Sequence, residues 1–364
     1  MNVLVYLIIL VVLYLLWILT IRYGLKHLWC SRAFSTDALF EGESCELVEI
    51  VRNDKPILIP WLRLESRISP HLHLGNQENL NVSGEMYYCS LFTMAPYQQI
   101  KRRYKVRFTR RGYYDLGNAS LTVGDVLGLF KIQRNQELSA PICIYPQLLE
   151  QEDLPSPISR LTGELVRRRQ LLEDPFLVRG IRAYRPGDPV RDIHWPATAR
   201  VGETQVRIHD YSAQTKLLVI LNVQRDEMQW GDVLPEEDEA ITEYGISLAA
   251  TICVQAIRGG MPVGFMSNMP QGNERKGVTL LMPDDQPGQE EAILSACAGL
   301  NAICGVNILT MLRDMDQYSG LDILILSRYD AEGLQEEMEK LRQGGNQVYL
   351  HVVEKEAEDE TERD

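Results

Sequence analysis

The sequence lacks the short motifs that mark the common catalytic folds. It contains no phosphate-binding P-loop, no HExxH zinc motif and no GxSxG nucleophile elbow. Its seven cysteines include no CxxC pair, so the usual zinc-ribbon and thiol-redox spacings are absent as well. These absences leave catalysis without a supporting motif and favour a non-enzymatic protein that needs no cofactor.

Positive charge is also in short supply. The chain has 37 Lys and Arg residues against 50 Asp and Glu residues, a formal net charge of -13. Nucleic-acid binding is disfavoured because it needs a basic surface that displaces counterions from phosphates. Part of the acidity lies in residues 354–364, which we expect to be a disordered tail. We expect the cysteines to be free, buried thiols, which indicates a reducing compartment.

The third absence is of charge at the amino terminus. No charged side chain occurs from Val3 to Ile21, a stretch of 19 residues rich in Leu, Ile and Val. At 1.5 Å per residue such a helix spans roughly 28 Å, about the thickness of a bilayer's hydrocarbon core. Arg22, Lys26 and Arg32 follow it, and positive flanking charge favours the cytoplasmic side. We therefore predict a transmembrane anchor over residues 1–22, with the remaining domains cytoplasmic at the cell membrane.

A β-rich domain is predicted after the anchor, over residues 33–148. Apolar residues alternate with polar ones, and clusters of Asn, Gly, Pro and Asp separate the runs. Pieces of this length indicate a small antiparallel sandwich. The predicted strands are Cys45–Val51, Ile57–Leu64, Glu85–Thr93, Lys101–Thr109 and Ile142–Tyr145. In Lys101–Arg107, basic residues alternate with Tyr104 and Val106, which favours one solvated strand face over contact with anionic lipid.

The second half of the chain changes pattern. Residues 149–215 are interpreted as a connector, polar over residues 149–176 and carrying a distinctive arginine-rich segment after them, and residues 216–353 as an α/β domain. Buried strands that alternate with helices predict a mostly parallel, doubly wound, Rossmann-like sheet. The predicted strands are Leu217–Leu221, Val263–Met266, Val278–Met282, Ile323–Leu326 and Val348–Val353, and the predicted helices are Glu236–Ile257, Glu290–Leu300 and Ala331–Leu341.

The most informative segment runs from Arg179 to Arg200. Five arginines lie there beside two aspartates, one histidine, one tryptophan and a Pro-Gly turn. Each guanidinium must be hydrated, paired or aimed at an anionic partner. One interpretation, which we favour from sequence alone, is an interdomain brace with Asp188 and Asp192 paired to arginines and Trp195 packed under the sheet. The other is a docking surface or anion pocket. His194 and His209 have no Cys or His cluster beside them, so hydrogen-bonded or exposed histidines are favoured over catalysis or metal binding.

These residues resemble the bacterial domain of unknown function 58 family. The resemblance is carried by the apolar anchor, by Arg110–Gly117 with Gly124–Asp125 and Gly128–Phe130, and by the signature of Gly180–Arg200. It implies a β-sandwich-like region followed by a von Willebrand factor type A-like domain. Genes of the family often neighbour a MoxR-type AAA+ ATPase, which implies an adaptor role with that ATPase. The implied interaction residues are Arg182, Tyr184, Arg185, Gly187, Asp188, Arg191, Trp195 and Arg200.

The resemblance also places a candidate metal site. Type A domains that bind a divalent cation use Asp-x-Ser-x-Ser after their first strand, where this chain has Asn222, Gln224 and Asp226. A late Ser-Asp pair is replaced by Ser327 followed by Arg328. We therefore expect the fold without a working metal site.

The leading hypothesis is a membrane-anchored, non-enzymatic adaptor or scaffold that works with the ATPase. The alternative is a divalent-metal-dependent ligand-binding or hydrolytic module that uses the degenerate site. A third interpretation, an extracellular adhesion domain, requires the opposite membrane topology.

Overall fold

The computed structural model describes residues 2–75, 80–82, 87–125, 127–171, 178–184, 190, 193–209, 216–229, 231, 233–272 and 274–354. The chain divides into two compact units, Met1–Gln147 and Leu148–Asp364. The acidic tail predicted at residues 354–364 lies outside the described residues, except for Glu354.

The chain begins with helix α1 (Asn2–Tyr23), whose described side chains are nearly all exposed and apolar. Among the described side chains, Leu4–Leu15 forms a shorter apolar stretch within it, whereas Glu236–Arg258 is long and apolar enough to cross a membrane. Because 61% of the apolar window of Glu236–Arg258 is buried, this second stretch is a core helix of its own unit.

The rest of the first unit consists of short strands in three sheets. A four-stranded sheet has the order β1-β3-β8-β5, a five-stranded sheet the order β11-β10-β4-β7-β6, and a small sheet the order β2-β12-β9. The strands are β1 (Leu28–Phe34), β2 (Ala38–Phe40), β3 (Ser44–Asn53), β4 (Ile59–Arg67), β5 (Leu72–Leu74), β6 (Leu80–Val82), β7 (Tyr87–Met94), β8 (Gln99–Phe108), β9 (Gly112–Asp115), β10 (Asn118–Gly124), β11 (Lys131–Glu137) and β12 (Pro141–Tyr145).

Period-two patterning explains this sandwich-like architecture. In β8, Tyr104, Val106 and Phe108 are buried while Arg103, Lys105 and Arg107 are exposed. The prediction of one solvated, basic strand face is therefore confirmed, since alternate side chains of a strand point to opposite faces. The inward residues of both large sheets form one apolar core.

The described cysteines are all free thiols, buried except for the half-buried Cys143. This agrees with the predicted state. Burial raises the pKa of Cys30 to about 12 and that of Cys45 to about 11, so these thiols stay protonated and unreactive at neutral pH.

The prediction that Arg32 is a solvated charge beside the anchor is wrong. Arg32 does not flank α1 as a solvated cation but lies buried on β1, where its Nε is 3.0 Å from Glu49 Oε1. The Arg32 side chain also donates to Ser66, and the hydroxyl of Tyr88 donates to Glu49. The basic flank of α1 consequently reduces to Arg22 and Lys26.

The second unit combines helices with two sheets. A β-hairpin pairs β13 with β14, and a five-stranded sheet has the order β17-β16-β15-β18-β19. Its elements are α2 (Ser156–Leu171), β13 (Val178–Ala183), α3 (Trp195–Val201), β14 (Gln205–His209), β15 (Lys216–Leu221), α4 (Glu239–Arg258), β16 (Val263–Ser267), β17 (Thr279–Asp284), α5 (Gln289–Ala298), α6 (Ile308–Arg313), β18 (Leu321–Ser327), α7 (Glu332–Gln343) and β19 (Gln347–Val352).

The five-stranded sheet is mixed and not wholly parallel. Strand β15 pairs in parallel with β16 and β18, and β19 continues the parallel order, but the edge strand β17 runs antiparallel to β16. A short turn-rich connection between β16 and β17 allows this reversal, whereas a parallel strand needs a longer crossover. Helices α6 and α7 cover the face that carries Leu218, Ile220 and Ile323.

The predicted polar connector, residues 149–176, contains a helix that was not predicted from the sequence. Helix α2 occupies Ser156–Leu171, with Ile158 and Leu165 buried seven positions apart on one helical face. Pro157 lies in its first turn, where a missing N–H costs no helical hydrogen bond. The prolines therefore mark the start of a helix and not an extended linker.

Candidate functional site

The first candidate site lies where neighbouring parallel strands of the five-stranded sheet end. Asn222 follows β15, Asn268 follows β16, and Ser327 ends β18. The carboxyl ends of parallel strands meet at one edge of a sheet, and this edge is the usual ligand site of open α/β folds. All three side chains are fully buried.

These side chains form a closed network of amides. Asn222 Oδ1 accepts from Asn268 Nδ2 at 2.8 Å and from the Gln224 backbone N–H at 3.2 Å. Asn222 Nδ2 donates to Ser327 Oγ at 3.0 Å. Gln224 Oε1 accepts from the Ile308 backbone N–H at 2.6 Å, and Gln224 Nε2 donates to the Asp226 carbonyl at 3.2 Å. Each amide oxygen that a cation would need is already used.

Asp226, the third predicted ligand position, turns its carboxylate away from the network. Its Oδ1 accepts from the backbone N–H groups of Met228 and Gln229, at 2.9 and 3.1 Å, and caps an exposed turn. The structure therefore brings Asn222 and Gln224 together with Ser327 but leaves the Asp226 side chain outside. Among the described residues, no group of three or more His, Cys, Asp or Glu side chains is placed to hold a metal ion.

Sequence reasoning missed Asn268, which lies at the centre of this network. Its Oδ1 accepts from the Val223 backbone N–H at 3.1 Å, and its amide also approaches Cys304 Sγ at 3.5 Å. Tyr329 closes the network on one side, and burial raises the pKa of its hydroxyl to about 12. The signal was a polar pair, Ser267–Asn268, at the carboxyl end of a fully buried strand.

The arginines next to the network pair with a buried carboxylate. Arg225 and Arg328 both donate to Asp238 Oδ1, at 3.0 and 2.8 Å, and Asp238 is buried at the start of α4. The hydrogen bond from Arg328 contributes most to holding the pKa of Asp238 below its ordinary value of 3.8. Arg328 therefore neutralises a buried carboxylate near the edge where a metal ligand was expected.

We expect magnesium to produce no saturable heat when it is titrated into the full chain in detergent. The amide oxygens already accept hydrogen bonds, and the carboxylates nearby are engaged by backbone N–H groups or by arginine. Manganese and the variant Asp226→Ala are titrated alongside. Saturable binding that disappears in Asp226→Ala would overturn this expectation and revive the metal-dependent alternative.

Asp238 is expected to make the second unit sensitive to acid. A carboxyl group whose pKa is lowered by folding stabilises the fold above its ordinary value of 3.8, and this stabilisation is lost as the pH falls through the lower, folded value. Asp238→Asn should therefore flatten the pH dependence of the free energy of unfolding below about pH 4. Urea titrations at several pH values measure this, with the exposed Glu336→Gln on α7 as a control of equal charge change. An unchanged acid slope in Asp238→Asn would contradict the assignment.

The second candidate site is the signature segment. Strand β13 pairs antiparallel with β14, and α3 lies in the connection between them. His194 caps α3, because its Nδ1 accepts from the Ala197 backbone N–H at 3.0 Å. Its role is thus local and structural, as the favoured interpretation predicted, while the side chain of His209 lies outside the described residues.

The structure describes only some of the predicted signature residues. Arg182, Tyr184, Trp195 and Arg200 are described, whereas Arg185, Gly187, Asp188 and Arg191 lie outside the described residues, as does Asp192. Arg182 Nη1 donates to the Ala183 carbonyl at 3.1 Å, and Arg200 is exposed in the last turn of α3. The ion pairs predicted for the brace therefore stay a prediction.

The packing predicted for Trp195 is wrong. Its side chain is 65% exposed at the first position of α3 and does not pack under the sheet. Helix α3 has only about two turns and no buried residue, so none of its faces is buried against the rest of the unit. Other large apolar side chains of the segment are exposed as well. We call them together the signature surface: Ile181, Tyr184, Val190, Trp195 and Val201.

Comparisons with known proteins add a family but no function. Residues 180–286 match the model of the family described as "Protein of unknown function DUF58". No curated protein matches the sequence.

Solved structures resemble about a third of the chain. A non-cellulosomal cohesin from Archaeoglobus fulgidus is 11% identical, covering 34% of this chain and 94% of its own length with a TM-score of 0.23. A CARDB domain from Pyrococcus furiosus is 13% identical, covering 33% and 94% with a TM-score of 0.21. A type I cohesin from Pseudobacteroides cellulosolvens is 14% identical, covering 34% and 96% with a TM-score of 0.22. Likenesses this weak support no conclusion about the chain, and the signature remains its diagnostic feature. The match over residues 180–286 confirms the resemblance to the DUF58 family that the signature segment carries.

Proposed function

We propose that this chain is a membrane-anchored, non-enzymatic adaptor that presents its α/β unit to a protein partner, a MoxR-type AAA+ ATPase. The observation that carries the proposal is the exposed signature surface, which belongs to the most family-specific segment of the chain. Large apolar side chains that stay exposed, aromatic ones above all, are enriched where proteins bind other proteins.

The fold of the second unit supports an adaptor over an enzyme. Counted along the chain, its five strands take the order third, second, first, fourth, fifth, which is the order of a Rossmann-like sheet. We propose that it is a von Willebrand factor type A-like domain. The edge where such folds bind ligands is filled by the network of Asn222, Gln224, Asn268 and Ser327, a neutral set whose hydrogen bonds are made internally.

Helix α1 supports the membrane part of the proposal. The apolar side chains described over Leu4–Leu15 are nearly all exposed, and a bilayer would bury them. Arg22 lies in the last turn of α1 and Lys26 follows the helix, which favours cytoplasmic domains.

Co-purification tests the proposal. The full chain, tagged at its carboxyl end and extracted in detergent, is incubated with the MoxR-type ATPase from the same genome, with ATP, ADP or no nucleotide. We expect the ATPase to be enriched in at least one nucleotide state. Failure to enrich it in every state would count against an adaptor of this kind.

A further inference from the structure

The strand registers of the first unit gather one set of loops around the end of α1. Leu28, which opens β1 just after α1, pairs with Asn53, and Arg52 pairs with Gln99. Residues 54–58 and 95–98 therefore lie at the end of the sandwich from which α1 leaves. The connection between β10 and β11, described at residues 125 and 127–130, lies there as well, because Gly124 pairs with both Trp61 and Lys131 close to the start of β4. We call this the helix-proximal end.

Large apolar side chains are exposed in these loops and at the strand positions next to them. They are Trp29, Leu58, Tyr97, Leu127 and Leu129, which we call the apolar rim. Loop tips of a solvated sandwich are normally polar, so an apolar set at one end needs a partner. Tyr97 even holds its ring out from a left-handed backbone position, with φ of 54°.

The end of α1 is fixed to this end of the sandwich. The buried Lys55, in the loop between β3 and β4, donates from Nζ to the carbonyls of Gly24 and Lys26. These carbonyls follow the last turn of α1, where a cation is favoured by the helix dipole. These hydrogen bonds fix the orientation of the sandwich relative to α1, so the helix is not a flexible linker.

A second contact lies further along α1, towards the centre of its apolar stretch. The rings of Trp17 and Phe130 are 6.4 Å apart between centroids, so the turn between β10 and β11 lies against the helix. Trp17 precedes Arg22 by five positions, which corresponds to roughly 7.5 Å along a helix. If Arg22 lies among the headgroups, the turn reaches to the depth at which interfacial apolar groups sit, about 5–10 Å.

We propose that the helix-proximal end is a second membrane-binding surface, which seats the sandwich on the bilayer with Leu127 and Leu129 inserted beside α1. Trp29, Leu58 and Tyr97 then lie at the level of the headgroups, where aromatic rings are favoured. Arg22, Lys26 and Lys131 at the same end suit anionic lipid headgroups. This inference rests on the proposed role of α1 as the anchor, and its occupant is a lipid bilayer.

Fluorescence quenching by lipids tests the seating in the full chain. Single cysteines are introduced as Leu10→Cys in α1, Leu129→Cys and Tyr97→Cys in the rim, and Tyr113→Cys as the control, and each is labelled with the environment-sensitive dye NBD. Tyr113 is 64% exposed against 69% for Tyr97, but it follows β8 at the opposite end of the sandwich. The proteins are reconstituted into phosphatidylethanolamine–phosphatidylglycerol vesicles that carry nitroxide lipids. The unsubstituted chain, treated alike, gives the background from the native thiols.

We expect labels at residues 97 and 129 to lose fluorescence with nitroxide near the headgroup and to show blue-shifted emission, while the label at residue 113 does neither. The label at residue 10 should be quenched by nitroxide deep in the acyl chains. Quenching at residue 10 without quenching at 97 and 129 would overturn the seating and leave the anchor in place. Absence of quenching at residue 10 would overturn the anchor and the seating together. Unchanged unfolding curves verify that each variant is folded.

Discussion

Replacing Glu49 with alanine is expected to lower the free energy of unfolding of the first unit by about 3–5 kcal/mol. Glu49 is fully buried and accepts hydrogen bonds from Tyr88 and Ser90 while it pairs with Arg32. Removal of the carboxylate would leave the Arg32 guanidinium buried without its counter-charge, which costs far more than the pair itself contributes.

Hydrogen exchange measures this effect within one molecule. Amides of β3 and β8 should lose protection in Glu49→Ala, while those of β15 and β18, in the other unit, serve as the internal control. The matched variant is Asp54→Ala, which breaks the exposed pair of Arg52 and Asp54 and should cost less than about 1 kcal/mol. The double variant Glu49→Leu with Arg32→Met should recover much of the lost stability, since no unpaired charge remains. A cost for Glu49→Ala no larger than that for Asp54→Ala would contradict the account of this pair.

Replacing Trp195 with alanine is expected to weaken binding of the ATPase about 30-fold or more. A large aromatic ring that becomes buried at the centre of an interface contributes about 2 kcal/mol or more to binding. Trp195 is the largest side chain of the signature surface, and it stands on a helix that buries nothing in its own unit. The fold should therefore tolerate the change.

Titration of the ATPase onto the immobilised full chain measures the loss. Met228→Ala provides the control, because Met228 is 87% exposed, the highest value among the large apolar residues described in the second unit, and lies outside the signature surface. Equal weakening by both substitutions, or by neither, would show that the signature surface does not dock the partner.

Much of the fold could be predicted from local patterns in the sequence. Alternation over Lys101–Arg107 predicted a strand with one solvated face, and the continuous apolar run of Leu217–Leu221 predicted a strand buried on both faces. These patterns suffice because a strand buried on one face alternates apolar and polar residues, whereas one buried on both faces is apolar throughout. The antiparallel direction of β17 could not be predicted in this way, since the residue pattern of a strand is the same whether it pairs in parallel or antiparallel.

Two predictions failed, one on the burial of a charged residue and one on the role of two prolines. Arg32 looked like a flanking charge because its counter-ion, Glu49, lies on the next strand of the sheet. Helix α2 was missed because Pro155 and Pro157 suggested a linker, although proline is favoured in a first helical turn. A charged residue or a proline in the sequence indicates a local preference, whereas contacts in the folded unit determine whether the charge is buried and whether the proline begins a helix.

The candidate site was predicted in part for the same reason. Asn222 and Gln224 were located from the end of the first buried strand, but Asn268 and the hydrogen bonds that satisfy their amides depend on the neighbouring strands. From sequence, a metal site was disfavoured because the ligand positions carry other residues than the type A motif does. Only the geometry shows where each amide oxygen is used, and only exposure shows that Trp195 is free to contact a partner.

Flotation of the ATPase with vesicles tests most directly whether this protein holds a partner at a membrane. Vesicles that carry the full chain, the Trp195→Ala variant or no protein are mixed with the ATPase and centrifuged through a density gradient, with ATP, ADP or no nucleotide. The account predicts that the ATPase rises with vesicles that carry the unsubstituted chain and rises much less with the variant. An ATPase that stays at the bottom of the gradient in every nucleotide state, or that floats equally with bare vesicles, would contradict it.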